Sequence, residues 1–402
     1  MLNNCDIVVV GIQAWDIEIG SNCRNIALEM AKTNRVLYVN YPLDRMTVWK
    51  QRKKPMVQDR LKRMEKPALE LLQEDASLWI LYPKTILESI TSLPSSFLFK
   101  LANRINNKRL AVRIQKAIDA LGFKNFILFN DSDMFRSFYL KELIKPRLSC
   151  YYTRDNLLAV DFWKRHGSYM EPALMAKSDL VFANSSYLAG LAKKYNTESY
   201  DVGQGCDLTL YDKKILNGIP DDLKNIPHPI IGYTGALYTL RLDMDIIQHI
   251  ATSKPNWNVV LIGPEDSDFQ HSNLHQLPNV YFLGNKKPDD LPAYIHSFDV
   301  AINPQKLNEV TRGNYPRKID EYLALGKPVV ATKTEAMSIF SAFCYLAETP
   351  VEYVQCIERA LQENNAQKEN EREVFARSHT WENNVKAIYK QLERKLKTTK
   401  QP

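Results

Sequence analysis

Lys318 and Glu321 stand three residues apart in the stretch from Arg312 to Thr332. On a helix that spacing places an ammonium and a carboxylate on one face. A cation beside a helix start holds phosphate, and a carboxylate one turn further on can accept hydrogen bonds from a ribose. An exposed ion pair has the same spacing, so the pattern alone leaves both readings open. Pro316 predicts the helix start, because its missing N–H falls where the first turn has no partner. Ile319, Tyr322, Leu323 and Leu325 recur at helical spacing and predict an inward face. Gly326 ends the helix, and the apolar run from Pro328 to Thr332 reads as a buried parallel strand.

A second set of chemical groups lies at strand ends in the first half of the chain. The β-branched run from Asp6 to Ile12 predicts a strand, residues 13–20 a loop, and Ser21 or Asn22 the cap of a helix that leads to a strand at 35–40. In such a strand–helix–strand unit the loop after the first strand faces ligand, which places Asp16, Gly20 and Arg24 at a site. Strands ending at Asn130 and Asp131, and at Arg154 and Asp155, point to the same rim. Each of these side chains also serves as a loop cap. The glycines do not form a dinucleotide fingerprint, so an oxidoreductase is set aside.

The remaining elements follow the same alternation. Strands are predicted at 77–83, 126–131 and 179–184, with a helix at 97–121 and a second helix capped by Ser185. Residues 46–74 read as basic and helical. The Pro/Gly-rich stretch 211–229 reads as a linker. A second alternating set occupies 230–379, and an amphipathic, basic helix closes the chain. The division is therefore 1–210 with 380–402, a linker at 211–229, and 230–379.

Composition narrows the function class. The 402 residues are 45% hydrophobic and 25% charged, which suits two globular domains rather than a disordered or membrane-embedded chain. The six scattered cysteines and seven histidines show no disulfide frame and no metal-ligand spacing, which predicts reduced thiols in a cytoplasmic setting without a metal. Met1 to Asp6 carries no basic region, so no signal peptide is expected. The net charge of +7 suits an acidic partner, yet no nucleic-acid signature is present. Residues 45–66 mix nine basic residues with Met46, Trp49 and Met56, a pattern that fits either a solvated loop and helix or a peripheral contact with an anionic membrane at its inner face.

Several motifs then resemble one family. Tyr233-Thr-Gly-Ala, the run Val259 to Pro264, Val280 to Gly284, Leu291 to Asp299, Pro316 to Val330 and Val202 to Asp207 look like retaining nucleotide-sugar glycosyltransferases of the GT-B fold, the "group 1" family. The likeness is nearest to transferases of bacterial surface-polysaccharide assembly, those of teichuronic acid among them. It implies two Rossmann-like doubly wound parallel-sheet domains facing a cleft. It implies transfer of a sugar from a nucleotide-diphosphate sugar to a glycan or lipid-linked acceptor, without metal. In that pattern Glu321 binds the donor ribose, Arg241 and Lys318 the diphosphate, and Gly235 and Gly20 line it. Gly284 borders the base, and Tyr315, Pro316 and Ile319 complete the donor motif. Asp131 and Asp155 are candidates to orient the acceptor hydroxyl, with Asp16, Arg24, Asn130 and Arg154 on the acceptor side. Two positions depart from the pattern: Ala236 replaces a frequent arginine, and Gly313 a frequent glutamate. A nucleotide-sugar epimerase of the same fold, or a degenerate GT-B module that binds glycan or a protein partner, are the alternatives.

Overall fold

The computed structural model describes residues 2–16, 21–66, 70–216 and 218–398, so Gly20 lies outside the described residues. The chain divides into two compact units, Met1–Gly203 with Asn384–Pro402, and Gln204–Asn383.

The first unit contains β1 (Asp6–Gly11), α1 (Asn22–Ala31), β2 (Arg35–Val39), α2 (Arg45–Gln51), α3 (Pro55–Glu65), β3 (Leu71–Asp75), β4 (Leu78–Leu81) and α4 (Ser96–Leu121). It continues through β5 (Ile127–Asp131), α5 (Leu140–Ile144), β6 (Leu148–Thr153), α6 (Asp161–Lys177), β7 (Leu180–Ala183), α7 (Ser186–Lys193) and β8 (Ser199–Asp201). The strands form one sheet in the order β3-β4-β2-β1-β5-β6-β7-β8. All neighbours are parallel except β3 with β4. Both faces are covered by helices, so the central strands are apolar along their length rather than alternating: every residue of β1 and β6 is buried. Ser21 and Ser185 cap α1 and α7 as expected, accepting from the amides of Arg24 and Leu188.

The reading of 46–74 as helical is corrected at its end. Leu71–Asp75 is a strand antiparallel to β4, because a short tight turn at Ala76 lets the chain fold back on the sheet edge.

The second unit contains β9 (Ile230–Thr234), α8 (Met244–Ser253), β10 (Asn258–Ile262), α9 (Ser267–Gln270), β11 (Val280–Phe282), α10 (Leu291–His296), β12 (Val300–Asn303) and α11 (Lys318–Ala324). After these come β13 (Val329–Thr332), β14 (Tyr345–Ala347), α12 (Pro350–Glu363), α13 (Ala366–Arg377) and α14 (Trp381–Thr398), which runs on into the first unit. Its six strands are all parallel, in the order β11-β10-β9-β12-β13-β14. Consecutive strands are laid outward from β9 in one direction and then from β12 in the other. The sheet therefore has a switch point between β9 and β12, where such sheets open a crevice at their carboxyl ends. The stretch 211–229 lies within this unit, with Leu223 and Ile226 buried in its core.

One buried ionisable group in the first unit sets a pH dependence. Glu171 on α6 accepts a 2.7 Å hydrogen bond from the Tyr151 hydroxyl. Burial pushes its carboxyl up to about 7, against the opposing pull of that bond. The folded state thus holds a proton that the unfolded chain releases between about pH 4.5 and 7. Stability should fall across that window as pH rises, by roughly 3 kcal/mol at most, and level off above it. Urea titrations of Glu171→Gln should lose this slope, making the variant gain on the wild type at pH 8 relative to pH 4.5.

Candidate functional site

The pocket at the switch point of the second unit measures about 330 Å³ and gathers Tyr233, Thr234, Gly235, Arg241, Asn303, Gln305, Asn314, Tyr315, Pro316, Arg317, Lys318 and Glu321. These residues come from three places: the loop after β9, the loop after β12, and the entry to α11. Strand β12 pairs with β9 only at Ile231 and Gly232, so the two diverge before Thr234. The Thr234 amide instead donates to the Tyr322 hydroxyl at 2.9 Å, which ties α11 to the end of β9. Gly326, at φ +68°, ends α11 as the sequence predicts. The helix itself starts at Lys318 rather than Pro316, whose carbonyl accepts from the Ile319 amide. With only seven residues in α11, the positive character of the pocket comes mainly from Arg241, Arg317 and Lys318 side chains.

Lys318 is half-buried, its ammonium 4.0 Å from the centre of the Tyr233 ring and hydrogen-bonded to that hydroxyl. Burial lowers its pKa, with Tyr322 and Glu321 opposing. Burial likewise raises the Glu321 carboxyl, against the attraction of Arg317 and Lys318. Tyr211, from the stretch read as linker, brings its hydroxyl to Glu321. Arg241 is exposed, its backbone fixed by hydrogen bonds to Tyr238 and Lys306. Under α11, Asp320 is fully buried; it takes a 2.9 Å bond from the Tyr315 hydroxyl and lies 2.7 Å from His379 Nδ1.

Gly235 sits directly on Gly263. A β-carbon at Gly263 would fall 2.0 Å from the Gly235 carbonyl oxygen, and one at Gly235 would fall 2.6 Å from Lys318 Nζ. Gly263 in turn donates to the Gly284 carbonyl at 2.9 Å. Gly284 is therefore exposed behind the loop rather than among the pocket-lining residues. Ile319 is also moved out of the expected set: it is fully buried in the core, because position 319 faces the sheet when 318 and 321 face the pocket. The sequence reading passed over Asn303, Gln305 and Asn314. Asn303 and Gln305 flank Pro304 at the end of a strand, the same polar-strand-end signal that singled out Asn130 and Asp131 in the first half.

In the first unit the candidate residues are mostly engaged with one another. Asp16 is gripped by the buried Arg60 and by Asn40. Burial pushes its carboxyl up, but those partners outweigh that and hold it below the usual range. Asn130 closes on Asp133 through two hydrogen bonds of 2.9 and 3.1 Å. Asp131 is wholly buried at the β1–β5 switch point, where Gly11 is its register partner. It has no face open to solvent, against the expectation that it meets an acceptor, and pairs with Arg154, which lies 3.0 Å away and reaches Asp155 at 3.5 Å. Asp155 keeps its carboxylate partly open to solvent. Arg24 stacks on Trp15 at 4.8 Å.

Residues 228–363 match the family model "Glycosyl transferases group 1". The second unit is a group 1 glycosyltransferase domain. Over 246 residues the chain is 28% identical to TuaH of Bacillus subtilis (strain 168), whose name assigns it provisionally to teichuronic acid biosynthesis as a glycosyltransferase. That match covers 57% of this chain and 60% of the relative, so less than two thirds of its length is spanned. Solved structures align along nearly the whole chain. Sucrose-phosphate synthase of Thermosynechococcus elongatus has a TM-score of 0.64 at 13% identity, covering 98% of this chain and 100% of that one. HepE of Anabaena, solved with UDP, has a TM-score of 0.65 at 15% identity, covering 97% and 100%. A trehalose-phosphate synthase of Burkholderia vietnamiensis has 0.67 at 11%, covering 97% and 100%. At such identities the likeness speaks for the fold, which is GT-B.

The glycine contact under the group 1 domain's pocket gives a graded expectation. Gly284→Ala meets nothing within 4 Å and suffers only its φ of +67°, a cost of about 1 kcal/mol. Gly263→Ala drives a β-carbon into backbone at φ +147° and should cost at least about 3 kcal/mol. Chemical denaturation of both variants measures the difference.

Proposed function

We propose that the chain transfers a sugar from a nucleotide-diphosphate sugar to a glycan or lipid-linked acceptor in polysaccharide assembly, with retention at the sugar carbon. The observation that carries this is the convergence of Arg241, Lys318 and Glu321 on one pocket at a sheet switch point, inside a group 1 domain. Its volume is within the roughly 300–1,000 Å³ range of small-molecule sites. Transfer builds negative charge on the departing diphosphate; Lys318, held on Tyr233, and Arg241 at the pocket's open side supply the cations that stabilise that charge. They do so without a metal. Glu321, held against Tyr211, accepts from the ribose hydroxyls.

HepE binds UDP and UDP-glucose in its solved complexes, which makes a uridine diphosphate sugar the first donor to test. The name of TuaH points to a teichuronic acid-type glycan as the acceptor class. Retention follows from attack on the face that the diphosphate leaves, with a donor phosphate oxygen taking the acceptor proton. No pair of protein carboxylates is then required. Arg154 and Asp155 orient the acceptor, and Asp131 acts through Arg154.

Isothermal calorimetry with UDP and a UDP-release assay with a panel of UDP-sugars test the reading. Lys318→Ala and Arg241→Ala should each lower kcat/KM by about a hundredfold or more. Glu321→Ala should weaken UDP binding at least about tenfold. Added chelator should leave turnover unchanged. Full turnover and affinity in all three variants would remove the site assignment. Conversion of donor to an isomer without acceptor would point to an epimerase instead.

A further inference from the structure

Arg372 stands on α13 of the second unit and is 3% exposed. Its Nη1 donates to the Gly326 carbonyl at 3.1 Å and to the Asn364 side-chain oxygen at 2.7 Å. Those two bonds fix the plane of the guanidinium and tie α13 to the end of α11. They leave the other edge, Nε with Nη2, without a hydrogen bond among the described residues. No carboxylate among those residues pairs with the side chain. Neither free nitrogen is sealed from solvent.

A guanidinium keeps its proton in a protein, so a full charge stands here without a countercharge. Burial lowers its pKa, with Tyr345 and Cys344 opposing. The bonds of Nη1 account for packing. They do not account for a free edge carrying N–H groups in a fixed direction.

That edge belongs to a cavity. Arg372 lines a pocket of about 370 Å³ formed by residues 341–346, which run into the edge strand β14, with the later turns of α12 and the first turns of α13. It shares no lining residue with the pocket at the switch point. Arg359 and Lys368 also line it and are largely open to solvent; they reach Glu363 at 3.4 and 2.9 Å. Glu371 accepts from Gln367 at 2.9 Å. Three cations thus face two carboxylates, and both carboxylates are engaged away from Arg372.

The Nε–Nη2 edge of an arginine presents two parallel N–H groups that match two oxygens of a carboxylate or a phosphate. The volume falls within the roughly 300–1,000 Å³ range of small-molecule sites and exceeds what a bare ion fills. Phe343 and Leu346 give the pocket an apolar wall for the rest of such a molecule.

We propose that this pocket binds the phosphate or carboxylate group of a small metabolite, held by the two-pronged edge of Arg372, with Arg359 and Lys368 turning from Glu363 to meet it. The bound oxyanion rests on the side chain that also holds Gly326, the residue after the helix that carries Lys318 and Glu321. The ligand therefore stands one side chain away from α11. This site is independent of the proposed sugar transfer and is read without any activity assay.

Isothermal calorimetry of the full chain with inorganic phosphate, glycerol 3-phosphate and acetate tests the proposal and separates free ion, phosphate ester and carboxylate. Saturable binding of at least one probe is expected, and it should persist in Lys318→Ala. Arg372→Lys keeps the charge but loses the fork, and should weaken binding at least about tenfold. Arg359→Ala with Lys368→Ala, at two exposed positions, should weaken it about threefold or more with melting unchanged. The double variant carries the test where Arg372→Lys does not fold. Overturning results are absence of saturable binding for all three probes, or loss of binding in Lys318→Ala, which would put the anion at the switch point. Undiminished binding in Arg372→Lys, or in the double variant where it stands in, would also overturn it.

Discussion

The second unit's pocket depends on the bond between the Tyr322 hydroxyl and the Thr234 amide. A sheet wound outward in two directions must part at its switch point, and here β9 and β12 separate after Gly232 and Ala301. The parting leaves the Thr234 N–H in a buried place without a strand to receive it. Such an orphan costs about 1–3 kcal/mol. Tyr322 receives it from α11 and thereby sets that helix beside the gap. The same geometric necessity thus opens the pocket and fixes the helix carrying Lys318 and Glu321 to its edge.

Burial then tunes the charged groups. Lys318 rests on the face and hydroxyl of Tyr233, where water is scarce and an ammonium is held less firmly as a cation. Glu321 is desolvated in the same pocket. Charges in such surroundings act on a ligand more strongly than they would at an open surface. The first unit uses its charges differently. Asp16 and Asp131 are each paired with an arginine, but with different balance: Arg60 and Asn40 outweigh the burial of Asp16, whereas burial outweighs Arg154 at Asp131 and holds its carboxyl above the usual range.

The glycine stack shows how close packing limits what the pocket loop can be. Gly235, Gly263 and Gly284 come from three successive strand ends; the Gly235 backbone lies where Gly263 would carry a side chain, and the Gly263 amide donates to the Gly284 carbonyl. Gly313, at φ +76°, carries no side chain one residue before Asn314 of the pocket. Neutral polar groups in the pocket come from Asn303, Gln305 and Asn314.

The alternation of apolar runs with helical periodicity was enough to read two parallel-sheet halves from the sequence. Lys318 and Glu321 could be named from one contiguous stretch, and Gly235 and Arg241 from the likeness to a family. Local spacing also fixed the caps at Ser21 and Ser185 and the stop at Gly326, since those devices involve neighbours along the chain. Tertiary structure decided what depends on a partner far away in sequence. It brought Tyr211 to Glu321 across more than a hundred residues. It sealed Asp131 behind Arg154, and paired Leu71–Asp75 with β4 at the sheet edge. It also left the apolar row Phe97, Leu101 and Val112 of α4 exposed. No local pattern distinguishes an apolar row that meets a core from one that meets solvent, because burial is a property of what the chain packs against.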